Sequence, residues 1–135
     1  MKVGIYNHQH LRGGCPGCSQ TYVKGMVSDA QKCQALANRL YGADCEFLNY
    51  TDLGDYPSDH VDRPGYKRMI EDIKKGELDV VISINARKIS SQMDLILGFY
   101  ELCKTHRVDF LTVADGKDIM PALDILLAKP QKTQV

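Results

Sequence analysis

The stretch Asp62 to Ile82, DRPGYKRMIEDIKKGELDVVI, decides the fold of this chain. It opens on Arg63-Pro64-Gly65, which is a signal for a turn that starts a helix. Apolar residues at the three- and four-residue spacing of one helix face follow this turn: Tyr66, Met69, Ile70 and Ile73. The helix is predicted to stop at Gly76. Leu78 to Ile84 is almost wholly apolar, which is typical of a parallel strand that is covered on both faces and predicts the centre of a sheet.

The alternation of strand and helix continues on both sides of this stretch. The other predicted elements are, in chain order, a strand at Lys2 to Tyr6, a helix from Tyr22 to Leu40, a strand at Cys45 to Leu48, a helix from Met93 to Cys103, a strand at Val108 to Val113 and a short helix from Met120 to Leu127. Residues 49–62 are rich in Asp, Gly, Pro and Ser and are predicted to form an irregular, mobile loop.

This order of elements predicts an α/β fold, a three-layer α/β/α domain with a mostly parallel central sheet of about four to five strands. One domain is expected over residues 1–128, with a tail at 129–135 and no helix-turn-helix domain. Because sites in such sheets form beyond the carboxyl ends of the strands, residues 7–19, 49–62 and 85–92 are predicted to share one functional rim.

Composition narrows the class of protein. The chain has 135 residues, of which 44% are hydrophobic, enough for one sizeable core. Lys plus Arg and Asp plus Glu number 17 each, so the formal charge is zero and DNA binding by the chain alone is expected to be weak or absent. No apolar run reaches the roughly 20 residues that span a bilayer, and no signal peptide is seen, so a cytoplasmic location is expected. The five scattered cysteines do not suggest a disulfide framework.

The segment from Asp62 to Ile82 closely resembles the core of the resolvase and invertase family of serine recombinases, in which an RPG turn opens a helix that leads to a DVVI-type strand. The resemblance extends to Gly4-Ile5-Tyr6, to Ser28-Asp29-Ala30-Gln31 and to Val108-Asp109-Phe110, and it covers roughly residues 1–115. It implies the resolvase fold and a relation to site-specific DNA recombination.

The positions that carry the chemistry of the family are altered here. The resemblance implies a Tyr-x-Arg-x-Ser pattern after the first strand, in which the serine takes the 5′ phosphate of DNA. This chain has Tyr6-Asn7-His8-Gln9-His10, so His8 stands at the arginine position and His10 at the position of the nucleophile. The hydroxyl that forms the phosphoester is therefore absent, which predicts loss of the family's reaction.

The phosphate-clamping positions are also altered. Where the resemblance implies an Asp-Arg-Leu-x-Arg type motif, this chain has Arg87-Lys88-Ile89-Ser90-Ser91, with Lys88 and Ser91 in place of two arginines. A lysine offers a point charge and not a planar fork. Only Arg63 matches the family cleanly, and Arg63, Lys88 and Arg87 are the candidates for phosphate binding.

These departures suggest a catalytically inactive, resolvase-like domain that acts by protein association. Its expected partner is a second copy, in a homo-oligomer, or a full-length recombinase, because no segment after Asp115 has the length or charge of the family's pairing helix or DNA reader. The alternative within the family is an active strand-transferase that uses a non-standard nucleophile, Ser19 or His10, with Arg63 and Lys88.

A third hypothesis concerns the loop after the first strand. His8, His10, Cys15 and Cys18 are four possible zinc ligands within a short segment, and alternate residues of an extended segment share a face. No other cofactor is predicted. The Cys-x-x-Cys pair before a helix also fits a redox site with a lowered thiol pKa. A simple turn with idle thiols explains the same residues.

Overall fold

The computed structural model describes residues 1–9, 18–53 and 63–128. The strands are β1 (Lys2–Gln9), β2 (Glu46–Leu53), β3 (Val80–Ser83) and β4 (Asp109–Thr112), and the helices are α1 (Cys18–Tyr41), α2 (Pro64–Lys74), α3 (Met93–Thr105) and α4 (Ile119–Ala128). A short 3₁₀ turn at Ala86–Lys88 lies between β3 and α3. The predicted tail at 129–135 lies outside the described residues.

The four described strands form one parallel sheet in the order β2-β1-β3-β4. From β1 the chain first moves to β2 and then returns past β1 to β3 and β4. Crossovers between parallel strands share one hand, so a reversal in the direction of strand order places the connecting helices on opposite faces of the sheet. Here the order reverses at β1, and a cleft forms between the carboxyl ends of β1 and β3. The predicted α/β architecture is confirmed.

The two faces of the sheet are covered by different helices. One core joins Val3 and Ile5 of β1 to Cys33, Leu36 and Ala37 of α1. The other core joins the opposite sides of the strands to α2, α3 and α4, with fully buried members such as Met69, Ile73, Cys103 and Phe110. Because successive residues of a strand point to opposite faces of the sheet, one face packs against α1 and the other against α2, α3 and α4.

The central segment folds as its sequence predicts. Pro64 is the first residue of α2, where its missing N–H removes no hydrogen bond of the helix. The helix ends at Lys74, and Gly76 follows with a φ of +75°, a conformation that suits glycine. All four residues of β3 are buried, as expected for a central strand.

Two strands are longer than predicted, and one predicted loop is partly wrong. β1 continues past Tyr6 to Gln9, and β2 continues past Leu48 to Leu53, so residues 49–53 are strand and not irregular loop. The two extensions pair with each other in register, from Tyr6 opposite Tyr50 to Gln9 opposite Leu53. Residues 54–62 lie outside the described part of the chain.

Candidate functional site

The carboxyl ends of the strands bring polar and charged residues to one rim, as predicted for the described parts of 7–19, 49–62 and 85–92. His8 lies in β1 opposite Asp52 in β2, and Arg63 and Lys88 lie beside them in the following loops. His8, Asp52 and Arg63 are all buried, with 4%, 3% and 2% of their surfaces exposed. Ionisable side chains at this depth need partners, and the partners define what the site can do.

The guanidinium of Arg63 is directed into the protein. Its Nη1 donates to the Tyr6 hydroxyl at 3.0 Å and to the carbonyl of Lys88 at 3.2 Å, and its Nη2 donates to the carbonyl of Ile89. The guanidinium carbon lies 4.5 Å from the centre of the Tyr66 ring. Arg63 therefore ties the turn before α2 to β1 and to the loop after β3.

Asp52 occupies the N-terminus of α2. Its carboxylate accepts hydrogen bonds from the backbone N–H groups of Gly65 at 2.7 Å and Tyr66 at 2.9 Å. It also accepts a hydrogen bond from the Tyr6 hydroxyl at 2.8 Å. Arg63, at the position where a capping side chain would stand, makes no capping hydrogen bond. The carboxylate of Asp52, which belongs to β2, thus stands at the N-terminus of α2, where an anion is favoured.

Tyr6 connects the two charged residues. Burial is the main cause that raises the pKa of Tyr6 far above its ordinary value, the nearby Arg63 charge opposes this effect, and Asp52 adds to it. The phenol therefore stays protonated, donates a hydrogen bond to Asp52 and accepts one from Arg63. Tyr6, Asp52 and Arg63 form a hydrogen-bonded chain inside the protein, which we call the rim network.

His8 extends the rim network on the side of β1. Its Nδ1 lies 3.3 Å from Nη1 of Arg63, a separation at which a neutral imidazole accepts from the guanidinium. The backbone carbonyl of His8 accepts from Nζ of Lys88 at 3.0 Å. Burial lowers the pKa of Lys88, an effect that the carboxylate of Asp29 partly offsets. Lys88 thus crosses the end of β1 and points toward α1.

The remaining sequence-based candidates are divided between exposed and undescribed positions. Arg87 and Ser91 are exposed on the loop after β3. His10 and Cys15 lie outside the described residues, and the side chains of Cys18 and Ser19 do as well. The described residues contain no group of three His, Cys, Asp or Glu side chains that could hold a metal ion, and the zinc site stays a prediction.

Sequence reasoning did not identify Tyr6 and Asp52 as site residues. Asp52 stands in a segment whose composition favours a loop, and its partners are 13 and 14 residues farther along the chain. A local pattern of cap residues cannot reveal such a contact. No local sequence signal marks this contact, because the pairing of the two polar strand ends is visible only in the structure.

Comparisons with known proteins relate the chain to DNA recombinases. Residues 24–129 match the family model described as the resolvase N-terminal domain. None of the curated proteins matches the sequence. No helix in the described part of the chain is long and apolar enough to cross a membrane.

Three solved structures share the fold. The N-terminal catalytic domain of TP901-1 integrase has a TM-score of 0.67 at 17% identity, covering 98% of this chain and 100% of that chain. A resolvase family site-specific recombinase from Streptococcus pneumoniae has a TM-score of 0.67 at 20% identity, covering 94% and 85%. The C-terminal catalytic domain of ISC1926 TnpA, an IS607-like serine recombinase, has a TM-score of 0.66 at 13% identity, covering 94% and 80%. At these identities the similarity is one of fold.

Proposed function

The chain belongs to the resolvase family, as a domain of the resolvase N-terminal type, and from this membership we propose that it is a catalytically inactive member that acts by protein association. Its fold and family relate it to site-specific recombination. Its partner is either a second copy of the chain or a full-length recombinase.

The observation that carries this proposal is the rim network. Three hydrogen bonds of the Arg63 guanidinium go to Tyr6 and to the carbonyls of Lys88 and Ile89, and Arg63 as a whole is 2% exposed. A phosphate clamp needs guanidinium donors that reach the ligand. The N-terminus of α2 already has Asp52 as its anion. Two of the three candidates for holding a DNA phosphate, Arg63 and Lys88, are therefore bound to the protein itself.

The residues at the positions of the family's reaction support the same conclusion. His8 stands where the resemblance implies an arginine, and its ring is buried beside Arg63. His10 stands where the resemblance implies the serine nucleophile. Without a hydroxyl at that position the phosphoester of the family cannot form there.

A surface for association is available on α4. The sequence of this helix, IMPALDILLA, is almost entirely apolar, yet only Leu123 is buried. Ile125 is 60% exposed, whereas Ile119, Leu126 and Leu127 are partly exposed and also pack against the core. An apolar side chain as exposed as Ile125, on a helix this apolar, is a candidate for contact with another protein.

Two measurements test the proposal. The first incubates the protein with supercoiled DNA and looks for covalent protein–DNA adducts after denaturation, and we expect none. An adduct that disappears in His10→Ala or Ser19→Ala would overturn the proposal and establish an active strand-transferase with that residue as its nucleophile.

The second measurement is the mass of the protein in solution, alone and mixed with a full-length serine recombinase, by light scattering after size exclusion. We expect an assembly that Ile125→Glu weakens. Ala35→Glu, which adds the same charge at an exposed position of α1, is the matched control and should leave the mass unchanged. A chain that stays monomeric alone and in every mixture would contradict the proposal.

A further inference from the structure

A groove separates α2 from α3 on the face of the sheet that both helices cover. It has a volume of about 490 Å³, and the described residues that line it all belong to these two helices. The α2 residues that line it recur at the three- and four-residue spacing of one helix face: Tyr66, Lys67, Ile70, Glu71 and Lys74. Clefts of about 300–1,000 Å³ that are mainly apolar and contain a few polar groups are typical of small-molecule sites.

Gly98 keeps the groove open on the side of α3. The other α3 residues that line it are Leu95, Phe99 and Leu102. A Cβ at position 98 would meet no atom within 4 Å, so no close packing requires a glycine there. A glycine inside a helix is destabilising relative to alanine. What Gly98 provides is the open space beside α3, which a larger side chain would fill.

The hydroxyl of Tyr66 is a polar group that lacks a partner at this groove. Tyr66 is 8% exposed, and its ring lies beside the ring of Phe99, with the ring centres 6.0 Å apart. The side chain of Tyr66 makes no hydrogen bond within the described residues. Burial is the main cause that raises the pKa of Tyr66, and the charge of Arg63 only partly opposes this effect. The phenol is therefore protonated at pH 7 and can donate to an acceptor atom in the groove.

The rim of the groove favours an anion at one end. Lys67 and Lys74 lie at exposed positions of α2 with Glu71 between them, so the lining carries one net positive charge and its middle disfavours an anion. In the part of the chain that the structure describes, the side chain of Lys74 forms no ion pair. An ammonium group and a phenol hydroxyl both donate hydrogen bonds, so a matching ligand presents an acceptor oxygen to each of them.

The positions of Tyr66 and Lys74 set the length of the ligand. Residues 66 and 74 are eight positions apart on α2, which corresponds to about 12 Å along the helix axis. We propose that this groove binds a medium-chain carboxylic acid that carries a second oxygen at its far end, with the carboxylate at Lys74 and the far oxygen at Tyr66. The hydrocarbon chain lies between these ends, against Ile70, Leu95 and Leu102. This ligand site goes beyond the proposed function and is independent of it.

Two probes that differ by one hydroxyl test the contact with Tyr66. The probes are decanoate and 10-hydroxydecanoate, and calorimetric titration measures the affinity of each one below the concentration at which it forms micelles. We expect 10-hydroxydecanoate to bind about threefold to tenfold more tightly, which is the size of one net hydrogen bond. Tyr66→Phe keeps the ring and should abolish this difference without abolishing the binding of decanoate. A difference that persists in folded Tyr66→Phe would overturn the proposal.

The contact with Lys74 is tested by removing its charge. Lys74→Gln is expected to weaken the binding of both probes about twofold to fivefold, as for an exposed ion pair. Lys75→Gln removes the charge of the next exposed residue, which does not line the groove, and should leave both affinities unchanged. Decyltrimethylammonium has the opposite charge and should not bind. If it binds as tightly as decanoate, the groove selects only for an apolar chain and the proposal is wrong.

A larger side chain at position 98 tests whether the groove itself is the site. Gly98→Leu fills the open space and is expected to abolish the binding of both probes. Gly25→Leu is the matched control, because a Cβ at this position of α1 also meets no atom within 4 Å, and it should bind both probes normally. Far-UV circular dichroism shows whether each variant is folded. Wild-type protein that binds neither probe, or folded Gly98→Leu that binds both normally, would overturn the proposal.

A protein bound in the groove would give a different set of results. If neither probe binds and Gly98→Leu lowers the mass of the assembly in solution, the groove is a protein contact, so the ligand proposal fails and the proposed association stands. If both probes bind as expected and no assembly forms, the ligand site stands and the association does not.

Discussion

The carboxylate of Asp52 and the backbone N–H of Gly65 are 2.7 Å apart, which brings the end of β2 directly against the first turn of α2. The approach leaves no room for a side chain. A Cβ at position 65 would lie 2.8 Å from the carbonyl oxygen of Thr51 and 3.0 Å from its nitrogen. The glycine of the RPG turn is required by this close contact and not by an unusual backbone conformation.

Gly65→Ala is expected to destabilise the fold by about 1–3 kcal/mol, because the backbone of β2 must move to accept the methyl group. The measurement is the free energy of unfolding in urea at pH 7. Gly98→Ala is the matched control, since a Cβ at position 98 in α3 would meet no atom within 4 Å. The control should be stabilising by about 0.4–1 kcal/mol. Equal effects of the two substitutions would contradict this account of the turn.

Arg63→Lys is expected to destabilise the protein by about 2 kcal/mol or more, although the charge is kept. A single ammonium group cannot reproduce the fork that reaches Tyr6 and the carbonyls of Lys88 and Ile89 together. Urea unfolding measures the effect. Arg68→Lys, at an exposed position of α2, should change the stability by less than about 0.5 kcal/mol. If Arg63 served only to bind phosphate, Arg63→Lys would be about as stable as the control variant Arg68→Lys.

The contact between α3 and α4 should depend on pH through Asp124. Hydrogen bonds from Lys104 at 2.7 Å and from Tyr100 at 2.8 Å hold the pKa of Asp124 below its ordinary value. Because the folded pKa is below the unfolded one, the stabilisation is complete above the unfolded value of about 3.9 and is lost as the pH falls through the folded value.

Asp124→Asn should therefore lower the melting temperature at pH 7, and the difference from the unsubstituted protein should shrink steadily below about pH 4. Thermal unfolding followed at a series of pH values measures this. Glu101→Gln, which removes an exposed carboxylate from α3, is the control. A deficit that stays constant down to pH 3 would mean that the side chain acts through packing and not through its charge.

Thiol labelling should distinguish the described cysteines. Burial is the main cause that raises the pKa of Cys33 and of Cys103 to about 12, so both thiols stay protonated at pH 8. Cys45 is partly exposed. Iodoacetamide at pH 8 should modify Cys45 in the native protein and reach Cys33 and Cys103 only in urea, as read from peptide masses. Modification of native Cys103 at the rate of Cys45 would show that α3 opens from the sheet.

The zinc hypothesis predicts one zinc ion per chain in native mass spectrometry of protein purified without chelator or affinity-tag metal. His8, His10, Cys15 and Cys18 are the proposed ligands, so Cys15→Ser should release the ion while the fold is kept. Cys45→Ser is the matched control and should retain it. Metal-free, reduced wild-type protein would end the hypothesis.

The parts of the fold that follow from local pattern were predictable from sequence. The RPG turn, α2 and β3 lie in one segment, and their hydrophobic spacing matches the burial of Tyr66, Met69 and Ile73. The family resemblance carried by this segment is confirmed by the resolvase N-terminal model over residues 24–129.

The carboxyl ends of β1 and β2 were not predictable in the same way. Asn7, His8 and Asp52 are polar, and a pattern based on hydrophobicity ends the strands before them. They are buried because they pair across strands and bond to distant groups, as Asp52 bonds to the N-terminus of α2. Such contacts join positions that are far apart in sequence, and no local signal marks them.

The bonds from Arg63 to the carbonyls of Lys88 and Ile89 also bear on how related sequences are read. Arg63 joins three separate segments of this chain, so it supports the fold independently of any contact with DNA. Selection for folding alone can therefore keep such an arginine, whatever residue stands at the nucleophile position. An intact RPG motif in a related sequence is therefore evidence of the fold and not, by itself, of strand cleavage.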